Sequence, residues 1–330
     1  MIFHGLIDKK RIIYGACILL FVIAVASFFL SNSTAEPVSE TRFMLDTICT
    51  VTLYDWRGDG GEIIDGAFAL CDRYEKMLSA TVSSSDIYKI NHSGGMPVEV
   101  SGETAELLRR AIDYCRLSDG KFDITIFPVK TLWHFGEDQP ALPDPNALAK
   151  AVRKVDYTKL RVDGATVTLP AGMGIDLGAI AKGFIADRMA GYLRENNVNS
   201  AIVDLGGNIY ALGNKPDGQL WRVGIRKPFA DGEADVVETS DSSVVTSGVY
   251  QRYFVKDGKI YHHILNSHDG MPCETGLYSV TVTAESSEQC DALSTICMLI
   301  GYDESIGLLS EFQNVRAEFI TSDGELLYYG

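Results

Sequence analysis

The segment GMGIDLGAIAKGFIADRMAGYLRENN, residues 172–197, predicts a short apolar strand that runs through a glycine-containing turn into a long helix. Such a turn directs backbone N–H groups and the positive end of the helix toward one spot, where Lys182 adds a mobile cation. This arrangement favours an anionic ligand such as a phosphate. The segment matches neither the P-loop nor the Rossmann glycine pattern, and an ordinary buried strand–turn–helix is the competing interpretation.

Periodicity and turn signals on both sides of this segment predict a mixed α+β fold in which antiparallel sheet dominates. Helices are predicted at 62–78, Thr104–Leu117, Pro143–Val155 and near 286–300. Strands are predicted at Thr41–Tyr54, on both sides of Asp163-Gly164, on both sides of the glycine turn at 206–207, around Asp257-Gly258 and near 315–329. No linker divides the chain, so we expect one bilobal unit.

The predicted helix near 286–300 carries Asp291 and Thr295, which are spaced by one helical turn. Residues four apart share a helix face, so this carboxylate and this hydroxyl can meet one hard cation. Magnesium fits such oxygen ligands. The alternative is an ordinary helix, because an acidic residue near the start of a helix is favourable without any ligand.

Three histidines lie in the segment YHHILNSHDGMP, residues 261–272. His262 and His263 are adjacent, so in a regular strand their side chains point to opposite faces and at most one of them shares a site with His268. This spacing argues against a zinc site. For each single histidine, a solvated or internally hydrogen-bonded imidazole is the alternative to a catalytic one.

The formal net charge of −15 excludes a nucleic acid as the expected partner, because such binding depends on Lys and Arg that neutralise phosphates. An acidic protein that binds a phosphate needs local N–H donors, a lysine or a divalent metal. The chain has 7 cysteines and no paired zinc-type spacing, and we expect free, buried thiols.

An uncharged apolar run from Ile12 to Leu30 follows the basic cluster Lys9-Lys10-Arg11. We interpret residues 1–11 as cytoplasmic, 12–30 as a transmembrane anchor or signal segment, 31–41 as a linker and 42–330 as the folded domain. The length of the run favours an uncleaved anchor over a cleaved signal peptide. The folded domain is therefore expected outside the cytoplasm, tethered to the cell membrane.

Eight motifs in order along the chain resemble the FAD:protein FMN transferases, the ApbE family. The motifs are LDTICTVTLYD (45–55), SSSDIYKIN (83–91), GKFDITIFPVKTLWHFG (120–136), IDLGAIAKGFIAD (175–187), AIVDLGGNIYALG (201–213), VVTSGVYQRYF (244–254), HHILNSHDGMP (262–272) and CDALSTICMLIG (290–301). This resemblance implies an ApbE-like fold and a magnesium-dependent enzyme that cleaves FAD between its phosphates. FMN then passes to a Thr or Ser hydroxyl of a partner protein, and AMP leaves.

The resemblance also implies site residues. The metal is expected on the main-chain carbonyl of Ala179, the carboxylate of Asp291 and the hydroxyl of Thr295. The residues expected to contact the flavin nucleotide are Leu45, Lys121, Phe122, Asp123, Asp176, Lys182, Thr246, Ser247, Gly248 and His263. We expect Asp291 and Lys182 to take part in catalysis, and His263 is our candidate for the base that accepts the proton of the incoming hydroxyl.

The chain departs from the family pattern at three places. Leu45-Asp46-Thr47 stands where the family has Met-Gly-Thr, and Thr81 stands where many members stack a tyrosine on the flavin. The segment from Asn266 to Asp269 replaces the family's Asp-Pro-x-Thr, so an aspartate that orients the histidine is missing.

These departures leave two alternatives to a transferase. One is an FAD pyrophosphatase that releases FMN and AMP, and the other is a catalytically weak extracytoplasmic FAD-binding protein. The acceptor implied by the family is an extracytoplasmic flavoprotein, such as a subunit of a redox-driven ion pump.

Overall fold

A computed structural model describes residues 36–135 and 141–330, and the predicted membrane segment at 12–30 lies outside these residues. In the two described ranges, no helix combines the length and the apolar character needed to cross a membrane. Residues Val38–Gly330 form one compact unit.

The described chain contains the 15 strands that give the fold its antiparallel character. They are β1 (Val38–Met44), β2 (Thr47–Asp55), β3 (Val98–Glu99), β4 (Arg161–Asp163), β5 (Thr166–Thr168), β6 (Ser200–Leu205), β7 (Asn208–Leu212), β8 (Trp221–Arg226), β9 (Glu233–Thr239), β10 (Ser242–Gly248), β11 (Tyr253–Lys256), β12 (Lys259–His262), β13 (Leu277–Ala284), β14 (Arg316–Thr321) and β15 (Leu326–Tyr329). The main sheet has eight strands in the order β1-β2-β6-β7-β10-β13-β14-β15. Every neighbouring pair in it is antiparallel, which confirms the predicted fold class.

The helices are α1 (Gly60–Leu78), α2 (Asp86–Asn91), α3 (Gly102–Leu117), α4 (Phe127–Lys130), α5 (Pro145–Val152), α6 (Ala181–Glu195), α7 (Ser287–Ile300) and α8 (Tyr302–Leu309). Several of them begin at a side-chain cap. Asp59 accepts from the Gly61 N–H at 2.8 Å at the start of α1, and Ser101 accepts from the Thr104 N–H at 3.0 Å at the start of α3. Helix α6 has no such local cap, because Ile180 precedes it.

The two faces of the main sheet are covered differently. Strand β14 shows the alternation: Ala317 and Phe319 belong to the principal core together with residues of α1, α6 and α7. Ile320 instead packs with Val223 of β8 and Val237 of β9, the two strands of a separate antiparallel pair. The sheet therefore has a helix-covered face and a second face that carries a β-hairpin.

Most of the predicted elements are confirmed, but two predictions are wrong. The single strand predicted over Thr41–Tyr54 is a hairpin, because Leu45 and Asp46 adopt φ values of 55° and 56° and reverse the chain between β1 and β2. The apolar segment before α6 is not a strand. It makes one isolated bridge, between Gly174 and Ile126. Helix α8 was not predicted. The six cysteines in the described residues are free and buried, as expected.

Candidate active site

The candidate site lies where the first turns of α6 and α7 meet. Gly183, in the first turn of α6, permits the contact: a Cβ at this position would lie 2.7 Å from Glu288 Cα and closer still to the carbonyl oxygen of Ser287. Both of these atoms belong to the backbone and cannot move aside as a side chain can. The glycine in the AKG sequence is therefore required by helix packing, and it brings Lys182 and Asp291 to one corner of the molecule.

The Gly183 N–H donates to Asp291 Oδ2 at 2.9 Å. In a regular helix this N–H would donate to the carbonyl four residues earlier, which is that of Ala179. Within the described residues no donor hydrogen-bonds the Ala179 carbonyl oxygen. Asp291 thus caps α6 from a distance and leaves the Ala179 carbonyl oxygen available to a ligand, which is the role that the sequence resemblance implies.

Asp291 is almost fully buried, with 4% of its surface exposed. Burial raises the pKa of its carboxyl, and the positive charge of Lys182 and the Gly183 N–H oppose that rise. Lys182 forms no ion pair with any described residue. Burial raises the pKa of Asp204 and the charge of Lys182 opposes that rise, whereas at His263 the charge of Lys182 adds to the lowering of the pKa by burial. The ammonium therefore remains available to an anion at this corner.

Two hydroxyls of neighbouring elements extend the site along α7. The Ser247 hydroxyl, on β10, lies 3.1 Å from the Thr295 hydroxyl and 2.9 Å from that of Ser294. Thr246 points the other way, and its hydroxyl pairs with Thr281 at 2.8 Å. Of the three predicted contacts Thr246, Ser247 and Gly248, Ser247 is thus the side chain that reaches Thr295. Gly248 leaves room for the ring of Tyr250, which would lie 2.6 Å from a Cβ there.

The adjacent histidines have different surroundings. His262 Nε2 lies 3.1 Å from the Cys273 carbonyl oxygen, and burial lowers its pKa to about 4. Burial also lowers the pKa of His263 to about 3, with Arg252, His262 and Lys182 acting in the same direction. In the described structure, His263 Nδ1 is buried and has no hydrogen-bond partner. His263 is therefore a neutral imidazole with a free ring nitrogen, whereas His262 has a structural partner.

The β1–β2 turn, which contains Leu45, contacts the glycine turn between β6 and β7. A Cβ on Gly206 would lie 2.8 Å from Thr47 Cβ, and the Leu45 N–H donates to Glu75 Oε1 at 3.0 Å. Asp204, just before the glycine turn, accepts from the Gly207 N–H at 2.7 Å and lies in the electric field of Lys182. Leu45 is thus held by Glu75, in a turn that lies against the glycine turn.

The Lys121–Asp123 turn has internal partners. Lys121 pairs with Glu304 at 2.7 Å, Phe122 is in the core, and Asp123 Oδ2 accepts from the Tyr157 N–H at 2.9 Å. The turn lines an open cleft of ≈ 450 Å³ that is bounded by Gly120, Asp123, Val152, Val155, Asp156, Tyr157, Ser267 and His268. The residue after this turn contacts the segment that leads into α6, because the Asp176 N–H donates to the Ile124 carbonyl oxygen at 2.8 Å.

Sequence reasoning missed two residues that hold the segment before α6. Asn91 of α2 brackets Ile175: its Oδ1 accepts from the Ile175 N–H at 2.6 Å, and its Nδ2 donates to the Ile175 carbonyl at 2.9 Å. Lys130 pairs with Asp176 Oδ2 at 2.6 Å. Asn91 thus replaces a strand partner, and Asp176, a predicted nucleotide contact, is tied to Lys130. Asn91 lies in the motif SSSDIYKIN and Lys130 in the motif GKFDITIFPVKTLWHFG, so the family resemblance is the sequence signal that could have found both residues.

A divalent cation is compatible with this corner by the chemistry of its donors. The Ala179 carbonyl, the Asp291 carboxylate and the Thr295 hydroxyl are all oxygen ligands of the kind that Mg²⁺ prefers. No cluster of three or more His, Cys, Asp or Glu side chains suited to a metal occurs in the described ranges. With one carboxylate from the protein, the remaining ligands would be waters and substrate phosphates, which is common for Mg²⁺.

In the part of the chain that the structure describes, an ammonium without an ion pair, a carbonyl oxygen without a donor, a carboxylate and hydroxyls meet at one helix junction of an α+β fold. This arrangement defines a class of protein suited to a phosphorylated ligand. Comparison with known proteins gives the family: the model of the ApbE family matches residues 45–319. The chain belongs to the ApbE family.

Individual relatives agree with this assignment. The chain is 39% identical over 313 residues to the FAD:protein FMN transferase of Treponema pallidum (strain Nichols), which covers 88% of this chain and 86% of the relative. It also resembles the crystal structure of an ApbE protein from Thermotoga maritima, with a TM-score of 0.82, 28% identity and coverage of 88% of this chain and 96% of that one. The apo form of the Pseudomonas stutzeri flavinyl transferase ApbE has a TM-score of 0.79 at 28% identity, over 90% of this chain and 95% of that one.

Proposed function

We propose that this protein is a magnesium-dependent FAD:protein FMN transferase that attaches FMN to a Thr or Ser side chain of a partner through a phosphoester bond. The T. pallidum relative carries this transferase name. The observation that carries the proposal is the hydrogen bond from the Gly183 N–H to Asp291, which leaves the Ala179 carbonyl oxygen unpaired in the described structure, on the turn that carries Lys182. A carboxylate, a carbonyl and an ammonium at one corner suit a diphosphate with its cation.

Ala179, Asp291 and Thr295 would hold the Mg²⁺, and the cation would neutralise negative charge on the diphosphate of FAD. Lys182 adds a second positive charge that no described carboxylate has taken in an ion pair. In the reaction the acceptor oxygen forms a bond to the FMN phosphorus, and the bond from that phosphorus to the bridging oxygen breaks. AMP leaves with the bridging oxygen, and the proton of the acceptor hydroxyl goes to a base.

His263 is the proposed base. Its imidazole is neutral at physiological pH, because its pKa is lowered to about 3, and its buried Nδ1 has no partner among the described residues. A bound diphosphate beside Lys182 favours the protonated imidazole and so raises this pKa toward the working range. The contacts of the nucleotide with Leu45, Asp176, Ser247 and the Lys121–Asp123 turn belong to the same proposal.

The base assignment has a direct test. We expect His263→Ala to lower the rate of FMN transfer by about 10²–10⁴-fold, the usual contribution of a general base, while Mg²⁺ dependence stays the same. His268→Ala is the matched control, because His268 is exposed. Full transfer by the His263 variant, with normal Mg²⁺ dependence, would assign the base to another residue.

The reaction itself is tested by incubating the full-length protein with FAD, Mg²⁺ and a candidate acceptor, namely an extracytoplasmic flavoprotein subunit of a redox-driven ion pump from the same organism. We expect the mass of the acceptor to increase by FMN, with one AMP released per transfer. AMP and free FMN without labelled acceptor would indicate a pyrophosphatase. Bound FAD without AMP would indicate a binding protein, and no FAD binding would reject the proposal.

We further propose that residues 12–30 anchor the enzyme in the cell membrane with residues 42–330 outside the cytoplasm. The support is the uncharged run after Lys9-Lys10-Arg11. A protease added to intact spheroplasts should cleave the folded domain, and protection of the domain would contradict this orientation.

A further inference from the structure

Asp187 of α6 contacts the start of α7 through three hydrogen bonds. Its Oδ1 accepts from the Ser287 N–H at 2.7 Å, and its Oδ2 accepts from the Glu288 N–H at 3.0 Å and from the Ser286 hydroxyl at 2.9 Å. Asp187 is four residues after Gly183, so both lie on one face of α6. The carboxylate therefore satisfies N–H groups that α7 leaves unpaired at its first turn.

The opposite contact is made by Asp291, which is four residues after Ser287 on α7. Its Oδ2 accepts from the Gly183 N–H in the first turn of α6 at 2.9 Å. Each helix thus supplies the aspartate that caps the other. The two caps enclose the backbone contact at Gly183, where a single Cβ would lie 2.7 Å from Glu288 Cα. The relative position of the two helices is fixed at three points within one turn.

We infer that Asp187 is a positioning residue for the proposed metal site: by holding the start of α7 against α6, it sets where the Asp291 carboxylate lies relative to the Ala179 carbonyl. This inference rests on the proposed function, since it concerns the cation of that site. Asp187 itself is not a ligand, because both of its oxygens are occupied by donors of α7.

The physical basis is the direction of the Asp291 carboxylate. One of its oxygens is held by the Gly183 N–H, so the other can serve a cation only if the two helices keep this spacing. Without Asp187 the first turn of α7 loses three hydrogen bonds to a charged acceptor and is free to shift. A metal ligand whose supporting hydrogen bonds are removed typically loses about 10–100-fold in metal affinity.

The test compares Mn²⁺ affinity of the full-length protein with that of Asp187→Asn. Free Mn²⁺ is measured by electron paramagnetic resonance, and unfolding is followed by circular dichroism. The amide is the same size, but its NH₂ group would face a donor. We expect Mn²⁺ binding to weaken by about 10–100-fold. Asp59→Asn is the matched control, since Asp59 caps α1 through the Gly61 and Glu62 N–H groups at 2.8 Å and 3.2 Å.

Asp187 would be only a helix cap if both variants lost thermal stability and both kept the wild-type Mn²⁺ affinity, and that result overturns the inference. A wild-type protein that binds no Mn²⁺ overturns it as well. FMN transfer is not used in this comparison: a wild type that binds Mn²⁺ without transferring FMN refutes the proposed function and leaves the role of Asp187 measurable.

If Asp187→Asn does not fold, a second pair of variants tests whether Asp187 positions the metal site. Ser286→Ala removes one of the three donors to Asp187 together with the cap that Ser286 gives to the Gln289 N–H at 3.3 Å. Its control is Ser101→Ala, which removes the corresponding serine cap of α3. Weaker Mn²⁺ binding by the Ser286 variant alone supports the inference, and equal binding by both variants overturns it.

Discussion

Buried carboxylates on the two faces of the eight-stranded sheet differ in their hydrogen-bond partners. On the helix-covered face, Asp187 and Asp291 each accept hydrogen bonds from backbone N–H groups of the opposite helix. On the face that carries the β8–β9 hairpin, Glu318 lies close to Asp235, and its buried Oε2 has no partner in the described residues. Burial raises the pKa of Glu318 to about 7.

The difference shows that a buried carboxylate does not by itself mark a site. Backbone N–H donors from the opposite helix turn a costly charge into a geometric constraint, because they fix the direction of the carboxylate. Asp291 also has Lys182 at the same corner, together with the Ala179 carbonyl oxygen, which accepts from no donor among the described residues, and this gives the constraint a chemical use. Burial and the charge of Asp235 raise the pKa of Glu318 against the opposing charge of Arg316, and its Oε2 has no donor among the described residues, so nothing fixes that oxygen toward a ligand.

The largest effect on FMN transfer is expected at Asp291, whose carboxylate accepts from the Gly183 N–H and is also a proposed ligand of the cation. In Asp291→Asn the single remaining acceptor can serve either the Gly183 N–H or the cation, so one of the two contacts is lost. We expect FMN transfer to fall to the level seen without Mg²⁺. Transfer is measured by the mass of the acceptor across a Mg²⁺ titration, with near-ultraviolet circular dichroism as the control for folding. Transfer at the wild-type rate would remove Asp291 from the site.

The second-largest effect is expected at Gly183, where the backbones of α6 and α7 are in contact. Gly183→Ala places a Cβ 2.7 Å from Glu288 Cα, so α6 and α7 must separate and the Gly183–Asp291 hydrogen bond is lost. Overpacking of this kind costs typically about 1–3 kcal/mol of unfolding free energy. FMN transfer should fall with it, because the Ala179 carbonyl and Asp291 move apart.

Gly191→Ala is the matched control for this change. Gly191 lies in the same helix, and a Cβ there would meet no atom within 4 Å. Alanine is the better helix former, so this variant should gain about 0.5–1 kcal/mol. Chemical denaturation of both variants gives the comparison. Equal stability of the two would mean that α6 and α7 are not held as closely as the structure shows.

Local patterns predicted the elements of this fold and failed where distant atoms decide the conformation. The glycine turn at 206–207 and the Asp257-Gly258 hairpin follow from turn chemistry, and α7 was predicted near 286–300. The β1–β2 reversal was missed because Leu45 and Asp46 carry no glycine or asparagine signal for their positive φ values. The strand predicted before α6 fails because Asn91 supplies the hydrogen bonds that a neighbouring strand would make.

The candidate site was likewise predicted where local patterns suffice and missed where residues distant in the chain come together. The spacing of Asp291 and Thr295 indicates a shared helix face, and the turn before α6 indicates an anion site, but neither pattern shows that the two meet. That meeting depends on Gly183, whose partner atoms lie about one hundred residues away along the chain, and only the family resemblance anticipates it. Asp187 was missed for the same reason, because its role is defined entirely by the start of α7.

The smallest effect is expected for Glu318→Gln, on the stability of the folded protein, because Glu318 lies on the hairpin-covered face of the sheet. In the folded protein the Glu318 carboxyl keeps its proton up to a pH of about 7, whereas its ordinary pKa is 4.5. Between these values the folded chain binds more protons than the unfolded chain, so its stability falls as the pH rises. Glu318→Gln has no proton to lose and should flatten this part of the curve, with the largest gain over wild type above a pH of about 7. The gain is small, because Glu318 is only partly buried and water screens its charge. Thermal unfolding across this range, with the exposed Glu325→Gln as control, measures the difference, and parallel curves for Glu318→Gln and wild type would show that the hairpin-covered face exposes this carboxylate to solvent.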